Sequence, residues 1–578
     1  MTVWKDIEKR QTFLVIVAFL ITGMALLYRA FYGMDLTDET FYLSTAKRFC
    51  DGDLLFMHDW NAGQIFGLLM VPFYRIYVFF HGNNEGVILS ARIAFVGLGL
   101  FVSVFLYRIL YRFSNMRWGA LVSALCVFVY ARGNIITISY YSLGFHTFLL
   151  AILWYAESED SKHERLCLIL SGISFSVSVL CMPYMVFVFV LLVAGAVWRM
   201  VQKKAEQNVP LYYFLAGIFL AALIFLMYFS NLIPWSRLME CLPMVFQDPS
   251  IEEETILEQL RTLFSYWIFV FLKYTWPFYF GAFLISFFAG KGWVKSPAFR
   301  KMIPWGFLLL FLIQSVYART YFEGGVVVAV FLLALQMQFF SPEYRLRKLE
   351  RCFILPGLLF GLVWIVGSNV GERAINMSLM LMNLWAIPFL WGLYREKKEN
   401  VYVGIRCSAC LMFLVLFVIR FFDIYRDGAL SGLDCKISRG IMRGIHTEAY
   451  RARAYENTVR ILSDRLDDGS VVIVLGCNPW VYLDAPASCG AYTTWQHSDG
   501  GDLLRQYYEY HPEKVPDMIL AVPEEINCYE SWTYSSHGSG THREEQPVLE
   551  GILQQIVEEK EYVRMEEDGA VWYSPRYL

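Results

Sequence analysis

The chain reads as a polytopic α-helical membrane protein with a separate α/β domain at its C-terminal end. Three observations predict this. Of the 578 residues, 57% are hydrophobic and 17% aromatic, and mean hydropathy is +0.43. That is more apolar sequence than a soluble globular domain carries. The apolar residues come in blocks of about 15–22, the length that spans a bilayer core. After Asp423 the composition changes to short strands and polar helices. Charged residues make up only 17% and the net charge is −3, which argues against a nucleic-acid role. The first apolar block lacks a small-residue cleavage site after it and reads as a retained span.

Thirteen spans are expected, near 12–32, 88–107, 118–133, 136–156, 166–182, 184–198, 211–230, 263–286, 303–319, 325–340, 353–369, 375–394 and 402–421. Basic clusters set their sidedness. Lys5, Lys9 and Arg10 precede the first span; Arg108, Arg112 and Arg117 follow the second. Later clusters centre on Arg199, Lys203 and Lys204, on Lys291 to Lys301, on Arg345 to Arg351 and on Arg395 to Lys398. All fall on one side, taken as the cytoplasm. Two segments decide this agreement. Residues 65–80 are apolar but short and contain Pro72 and Arg75, so they are laid along the outer surface as an interfacial helix. Residues 166–198 are too long for one crossing, and Pro183 suits a hairpin of two short helices.

The resulting organisation is a transmembrane domain over 1–421, with a first outer loop at 33–87, and an extracytoplasmic α/β domain over 422–578. The N-terminus is expected inside. In the tail, 446–466 has helical periodicity and Val471 to Leu475 is a buried strand closed by Gly476. Asp517 to Val522 is a second strand. A helix at 546–560 precedes a hairpin whose turn is Asp568-Gly569. No metal spacing, Gly-rich phosphate loop or nucleophile motif is evident there, so the tail is expected to cover the site or bind the acceptor. Cys407 and Cys410 lie within an apolar span and read as packing residues.

The chemistry is expected just beyond the first span, at Asp38-Glu39 in the run Asp35 to Tyr42. Thr37 or Asp38 can cap a helix through Phe41, Tyr42, Thr45 and Phe49, whose first-turn carboxylates the helix dipole favours in ionised form. Asp38 and Tyr42 then share a face. An ionised aspartate at the bilayer surface can take a proton from an acceptor hydroxyl or amine. The plain alternative is that this run merely starts a surface helix. Cations within the spans come next: Arg92, Lys273, Arg319 and Arg29. A cation in lipid needs a partner or a cavity, and a lipid phosphate would supply one. Arg92 and Lys273 are the favoured ligands; Arg319 and Arg29 read first as snorkelling. His58 and Asp59 could join Asp38 around a divalent cation, although the sequence does not complete a ligand set. Tyr140 and Tyr141 belong to an interfacial aromatic belt or line a sugar pocket. His146 reads as an interhelical histidine.

On these residues the chain resembles the GT-C membrane glycosyltransferases, in particular the branch of the protein O-mannosyltransferases and the lipid A aminoarabinose transferase. Asp38-Glu39-Thr40-Phe41-Tyr42 is similar to that branch's Asp-Glu-x-x-Tyr run after the first span. Asp51-Gly52-Asp53, His58-Asp59-Trp60, the surface helix at 65–80 and Ser90-Ala91-Arg92 at the start of the second span extend the likeness. The branch's Pro-Pro-Leu element is absent, and Ala62-Gly63-Gln64 stands in its place. The resemblance implies a polyprenyl-phosphate sugar donor, an outer active site and inverting transfer, in a bacterial plasma membrane. Asp38 would be the base or acceptor-orienting acid, Glu39 its support and Arg92 the residue facing the donor phosphate.

The expected function is therefore transfer of a sugar from polyprenyl phosphate to a cell-envelope lipid, glycan or protein. Tyr42, His58, Asp59, Arg92, Tyr140, Lys273 and Arg319 would line the substrates. Two alternatives stand beside it. A flippase of lipid-linked saccharide would show broken helices and several deep charges, whereas only Lys273 is deep. A polysaccharide polymerase or ligase would have its large outer loop between late spans, whereas here the first outer loop is the longest.

Overall fold

The computed structural model describes residues 2–61, 63–245, 257–258, 261, 264–265, 280, 322–367, 375–397, 401–495, 501–527 and 551–576. The expected span at 303–319, nearly all of that at 263–286, and with them Arg319 and Lys273, lie outside the described residues.

The helices follow the apolar blocks. They are α1 (Thr2–Arg29), α2 (Asp38–Cys50), α3 (Gln64–His81), α4 (Val87–Ser114), α5 (Arg117–Val129), α6 (Tyr140–Ser158), α7 (Glu164–Cys181), α8 (Val186–Val201), α9 (Val209–Phe229) and α10 (Leu238–Val245). Further on come α11 (Phe322–Phe340), α12 (Leu355–Gly367), α13 (Ile375–Lys397) and α14 (Val401–Phe422). Seven described helices, α3 among them, are long and apolar enough to cross a membrane. α5 is shorter than expected, at 13 residues, because Tyr130 is extended and the chain turns through Gly133 and Asn134, both at φ 58°.

α3 has the length of a span, but both its ends meet the C-terminal unit. Just before it, Trp60 N donates to Tyr492 O at 2.8 Å; just after it, Gly86 N donates to Gly440 O at 3.0 Å. Its two ends, about 27 Å apart, thus both rest on that unit. The 166–198 segment is two helices. α7 and α8 are separated by a turn at Pro183–Met185, and Arg199 at the end of α8 returns to within electrostatic reach of Tyr155 near the end of α6. α9 then runs back, and Leu232 O beyond it accepts from Leu55 N at 2.6 Å. α7 and α9 cross at Gly172 and Gly217, where an added Cβ would sit 2.0 Å from Phe214 O and 2.1 Å from Ile169 O. Glycine at both positions lets the backbones touch, the small-residue solution to helix packing in lipid.

The C-terminal residues build an α/β unit. β3 (Val471–Val474), β4 (Ser488–Cys489), β5 (Met518–Ala521), β6 (Val563–Glu567) and β7 (Ala570–Ser574) form one sheet in the order β4-β3-β5-β7-β6. The β4-β3-β5 part is parallel, and β7 pairs antiparallel with β5 and β6. β3 and β5 are buried on both faces, as their continuous apolar runs require. Asp568 and Gly569 adopt φ 52° and 81°, the left-handed pair of a tight hairpin turn. β4 is too short to announce itself in the sequence. A small antiparallel pair, β1 (Cys435–Lys436) with β2 (His446–Thr447), leads into α15 (Ala449–Arg465).

This unit clamps α2. Arg48 donates to Asp53 and to Tyr507 Oη at 2.9 Å, and its Nη1 is 3.6 Å from Asp59 Oδ2. Lys514 Nζ is 2.6 Å from Asp53 Oδ1. Lys47 Nζ reaches Ala487 O at 3.3 Å, and the Trp60 ring meets that of Tyr507 edge-on at 5.2 Å. Residues 39–49 of α2 are buried throughout.

If α3 lies on the outer surface, a cysteine placed at Asn83 in a cysteine-depleted background will react with a membrane-impermeant maleimide added to intact cells. One at Asn115 will react only after permeabilisation. Protection of position 83 in intact cells would mean that α3 crosses.

Candidate active site

The turn into α2 is built by a residue that sequence reading passed over. Thr37 occupies the N-cap position, yet its side chain makes no capping hydrogen bond. Asp35 takes that role. Its Oδ1 accepts from Thr37 N at 3.0 Å and Thr37 Oγ1 at 2.6 Å, and its Oδ2 accepts from Glu39 N at 3.1 Å. A buried carboxylate thus satisfies the orphan N–H groups of the helix start.

Glu39 points inward and Arg92 meets it. Arg92 Nε lies 3.1 and 3.0 Å from the two Glu39 oxygens, and Nη2 donates to Oε2. The other N–H groups go to Ala30 O at 2.9 Å, Tyr32 O at 3.2 Å and Gly33 O at 2.6 Å. Both side chains are 2% exposed. All five donors of Arg92 are therefore taken by protein. The space beside the pair, lined also by Arg29 and Tyr425, is about 10 Å³, which holds no more than a water. In this arrangement Arg92 cannot face a donor phosphate, and Glu39 positions α2 through Arg92. Burial pushes the Glu39 carboxyl up against the pull of Arg92. Arg29 does not snorkel either: it is 2% exposed and donates to Tyr32 O and, at 3.3 Å, to Asp423 O.

Asp38, one residue earlier, points the other way. Its side chain is 17% exposed. Oδ2 accepts from Tyr425 Oη at 2.6 Å and lies 3.4 Å from Arg426 Nη1. Oδ1 accepts no hydrogen bond among the described residues. Burial pushes the Asp38 carboxyl above the usual carboxylate range; Arg426 opposes this, Asp35 adds to it, and the Tyr425 hydroxyl and Arg132 pull back. Arg132 lies with its guanidinium 3.8 Å from the centre of the Tyr141 ring, and its buried Nε has no hydrogen-bond partner among the described residues.

An aromatic wall stands beside this group. Tyr140 and Tyr141 are 3.9 Å apart, and Trp364 stacks on them at 6.1 and 5.3 Å. Tyr42 is 5.6 Å from Tyr140 and 4.9 Å from Phe66. Asp38, Tyr42 and Tyr140 are thus brought together, as one helical turn of spacing predicts for the first two. Arg132, Tyr425, Arg426 and Trp364 complete the cluster unforeseen. The available signals were the outer-end position of Arg132 after the third span and the charged run Asp423 to Asp427 after the last.

His58 and Asp59 lie elsewhere. Asp59 pairs with Arg48, ten helical positions or about 15 Å along α2 from Asp38. The convergence of His58, Asp59 and Asp38 that a shared divalent cation would need does not form, because Arg48 and the C-terminal unit hold the first two. His58 instead gathers with His511 and Glu513, ligand atoms within 4.8 Å of one another. There, however, His58 Nδ1 accepts from Leu54 N at 2.8 Å, so the neutral ring carries its proton on Nε2. That nitrogen is then a donor and not a metal ligand. Burial lowers the His58 pKa to about 4 and keeps the ring neutral.

No protein-family model matches the chain, and no curated protein matches it. Among solved structures it is similar to ArnT from Cupriavidus metallidurans in the apo state, at 12% identity over 96% of this chain and 97% of that chain, TM-score 0.41. The same protein bound to undecaprenyl phosphate gives 12% identity over 97% of each chain, TM-score 0.37. The Archaeoglobus fulgidus oligosaccharyltransferase in complex with Zn and sulfate gives 9% identity over 87% of this chain and 67% of that chain, TM-score 0.47. Every TM-score lies below 0.5, so these likenesses assign neither substrate nor mechanism to this chain.

Breaking the buried pair from one side strands the other charge, which costs about 3–5 kcal/mol. Arg92→Met alone should therefore lower the unfolding midpoint of the purified protein more than Arg92→Met combined with Glu39→Leu. Equal destabilisation by the single and double variants would show that the two charges are not coupled.

Proposed function

We propose that the protein is a GT-C-like membrane glycosyltransferase. It moves a sugar from a polyprenyl-phosphate donor to a cell-envelope acceptor at the outer membrane face, with thirteen spans and a cytoplasmic N-terminus. The observation that carries the reading is the division of labour on Asp38. One oxygen is fixed by Tyr425 and Arg426, and the other accepts no hydrogen bond among the described residues, within electrostatic reach of Arg132. A general base needs this combination of a set orientation and a free lone pair.

In this reading Asp38 Oδ1 accepts the proton of the acceptor hydroxyl or amine. The freed lone pair attacks the anomeric carbon as the bond from that carbon to the phosphate oxygen breaks, and the sugar inverts. The lipid phosphate departs with the electron pair. Arg132 is the described cation placed to meet that charge; Lys273 and Arg319 remain candidates from the sequence alone. Tyr140, the half-buried ring of the wall, would meet the C–H side of a sugar ring, backed by the buried Tyr141 and Trp364. Glu39 acts through Arg92 as a positioning residue, because it fixes the backbone that presents Asp38.

Asp38→Asn should reduce transfer by about 10²–10⁴-fold at unchanged expression. The measurement is incorporation of label from radiolabelled polyprenyl-phosphate sugars into envelope acceptors in membranes. An active Asp38→Asn enzyme would sink the assignment. Because the Asp38 carboxyl is raised, the base form is lost as pH falls through a value above that of a free aspartate, about 3.9. The Tyr425 hydroxyl favours the ionised form, so Tyr425→Phe should move the acid limb of kcat/KM to still higher pH. A limb that stays in place would remove Asp38 as the titrating group.

A further inference from the structure

A second cavity lies at the opposite end of the bundle. It encloses about 480 Å³ among Arg117 and Trp118 of α5, Trp391, Tyr394 and Arg395 of α13, and Arg406 of α14. Its place follows from Arg117, whose Nη1 donates to Gln11 Oε1 at 2.8 Å near the start of α1. Asp38 follows the other end of that helix.

Three guanidinium groups share this space. Arg117 has Glu8 Oε1 at 3.7 Å from its Nη2. Arg395 Nη1 donates to Asn115 O at 3.3 Å, and no carboxylate pairs with it among the described residues. Arg406 lies with its guanidinium 4.4 Å from the centre of the Tyr394 ring and 5.5 Å from that of Trp391, and has no hydrogen-bonded or ion-paired partner among the described residues. α5 begins at Arg117, so its first-turn N–H groups add the positive end of a helix to the same place. Among the described residues the lining is thus a concentration of positive charge with one weak carboxylate to balance it, closed on one side by Trp118, Trp391 and Tyr394.

We propose that this cavity binds the phosphodiester headgroup of an anionic phospholipid. The guanidinium groups supply the donors that a phosphate oxygen seeks. The indole and phenol rings suit the glycerol and the first acyl carbons at the level of the membrane interface. The volume is in the range of small-ligand sites, and basic pockets between the ends of membrane helices take such headgroups. A free phosphate would use the same arginines but would leave the aromatic side unmatched. The site is independent of the chemistry at Asp38.

The test is native mass spectrometry of the purified full-length protein after exposure to mixed micelles of phosphatidylglycerol or phosphatidylcholine. The protein should retain phosphatidylglycerol over phosphatidylcholine. Arg395→Gln and Arg406→Gln should each cut that retention roughly fivefold, with the melting midpoint in phosphatidylcholine micelles unchanged. The two variants sit on different helices, so if one fails to fold the other carries the same test. Equal retention of the two lipids by the wild type, or undiminished retention by a folded variant, would overturn the proposal. So would displacement of the lipid by inorganic phosphate at millimolar concentration, which would make the cavity a site for a soluble anion.

Discussion

The Glu39–Arg92 pair is the contact on which the arrangement around the start of α2 depends. Its guanidinium joins three separate stretches of chain. Arg92 belongs to α4, its carbonyl partners belong to the turn that follows α1, and its carboxylate partner belongs to the first turn of α2. Taking both charges out of water costs several kcal/mol per ion, and it is offset only when geometry is good and every donor is used. Both conditions hold here. The N–H groups of the turn take the last carbonyls of α1, and Arg92 takes the carbonyls of the turn itself, at Ala30, Tyr32 and Gly33. Because the pair cannot slide without stranding a charge, the backbone one residue upstream is fixed too, and that residue is Asp38.

Two adjacent carboxylates on one helical turn are thereby given opposite fates. Glu39 is enclosed, doubly bonded and silent. Asp38 is held by one oxygen, and the other has no hydrogen-bond donor among the described residues. Nothing in their chemistry distinguishes them; the difference is that helical geometry turns consecutive side chains by about 100°. The same rotation buries Tyr42 against Phe66 and Tyr140, so that one face of α2 completes an aromatic wall while another enters the ion pair.

Much of the architecture was legible in the sequence. Apolar block length located the described helices, and Pro183 marked the break between α7 and α8. In the tail, the buried strands and the Asp568-Gly569 turn stood out because their residue types leave few other conformations. At the site, Asp38, Glu39 and Arg92 were all marked, but with the wrong pairing for Arg92. A sequence displays charges without their partners, and Arg92 was matched to a phosphate when the carboxylate it needed stood beside Asp38. Asp35 was overlooked because its capping acts from outside the helix. Tyr425 and Arg426 were overlooked because they sit in the chain's other half, beyond the last span. His58 and Asp59 were read by proximity in the chain, whereas Arg48 and the C-terminal unit decide where they go.

The hydrogen bond from Tyr425 to Asp38 spans 387 positions of sequence. A ribosome adding about 5–20 residues per second needs roughly 20–80 s to cover that interval. During that time the aspartate has already been made, but the phenol and guanidinium that orient it do not yet exist. The site can therefore be assembled only after the final helix is in place. Any chain that stops short, or fails to insert its last span, carries the acid without the clamp. Completion of synthesis is in this sense written into the geometry around Asp38.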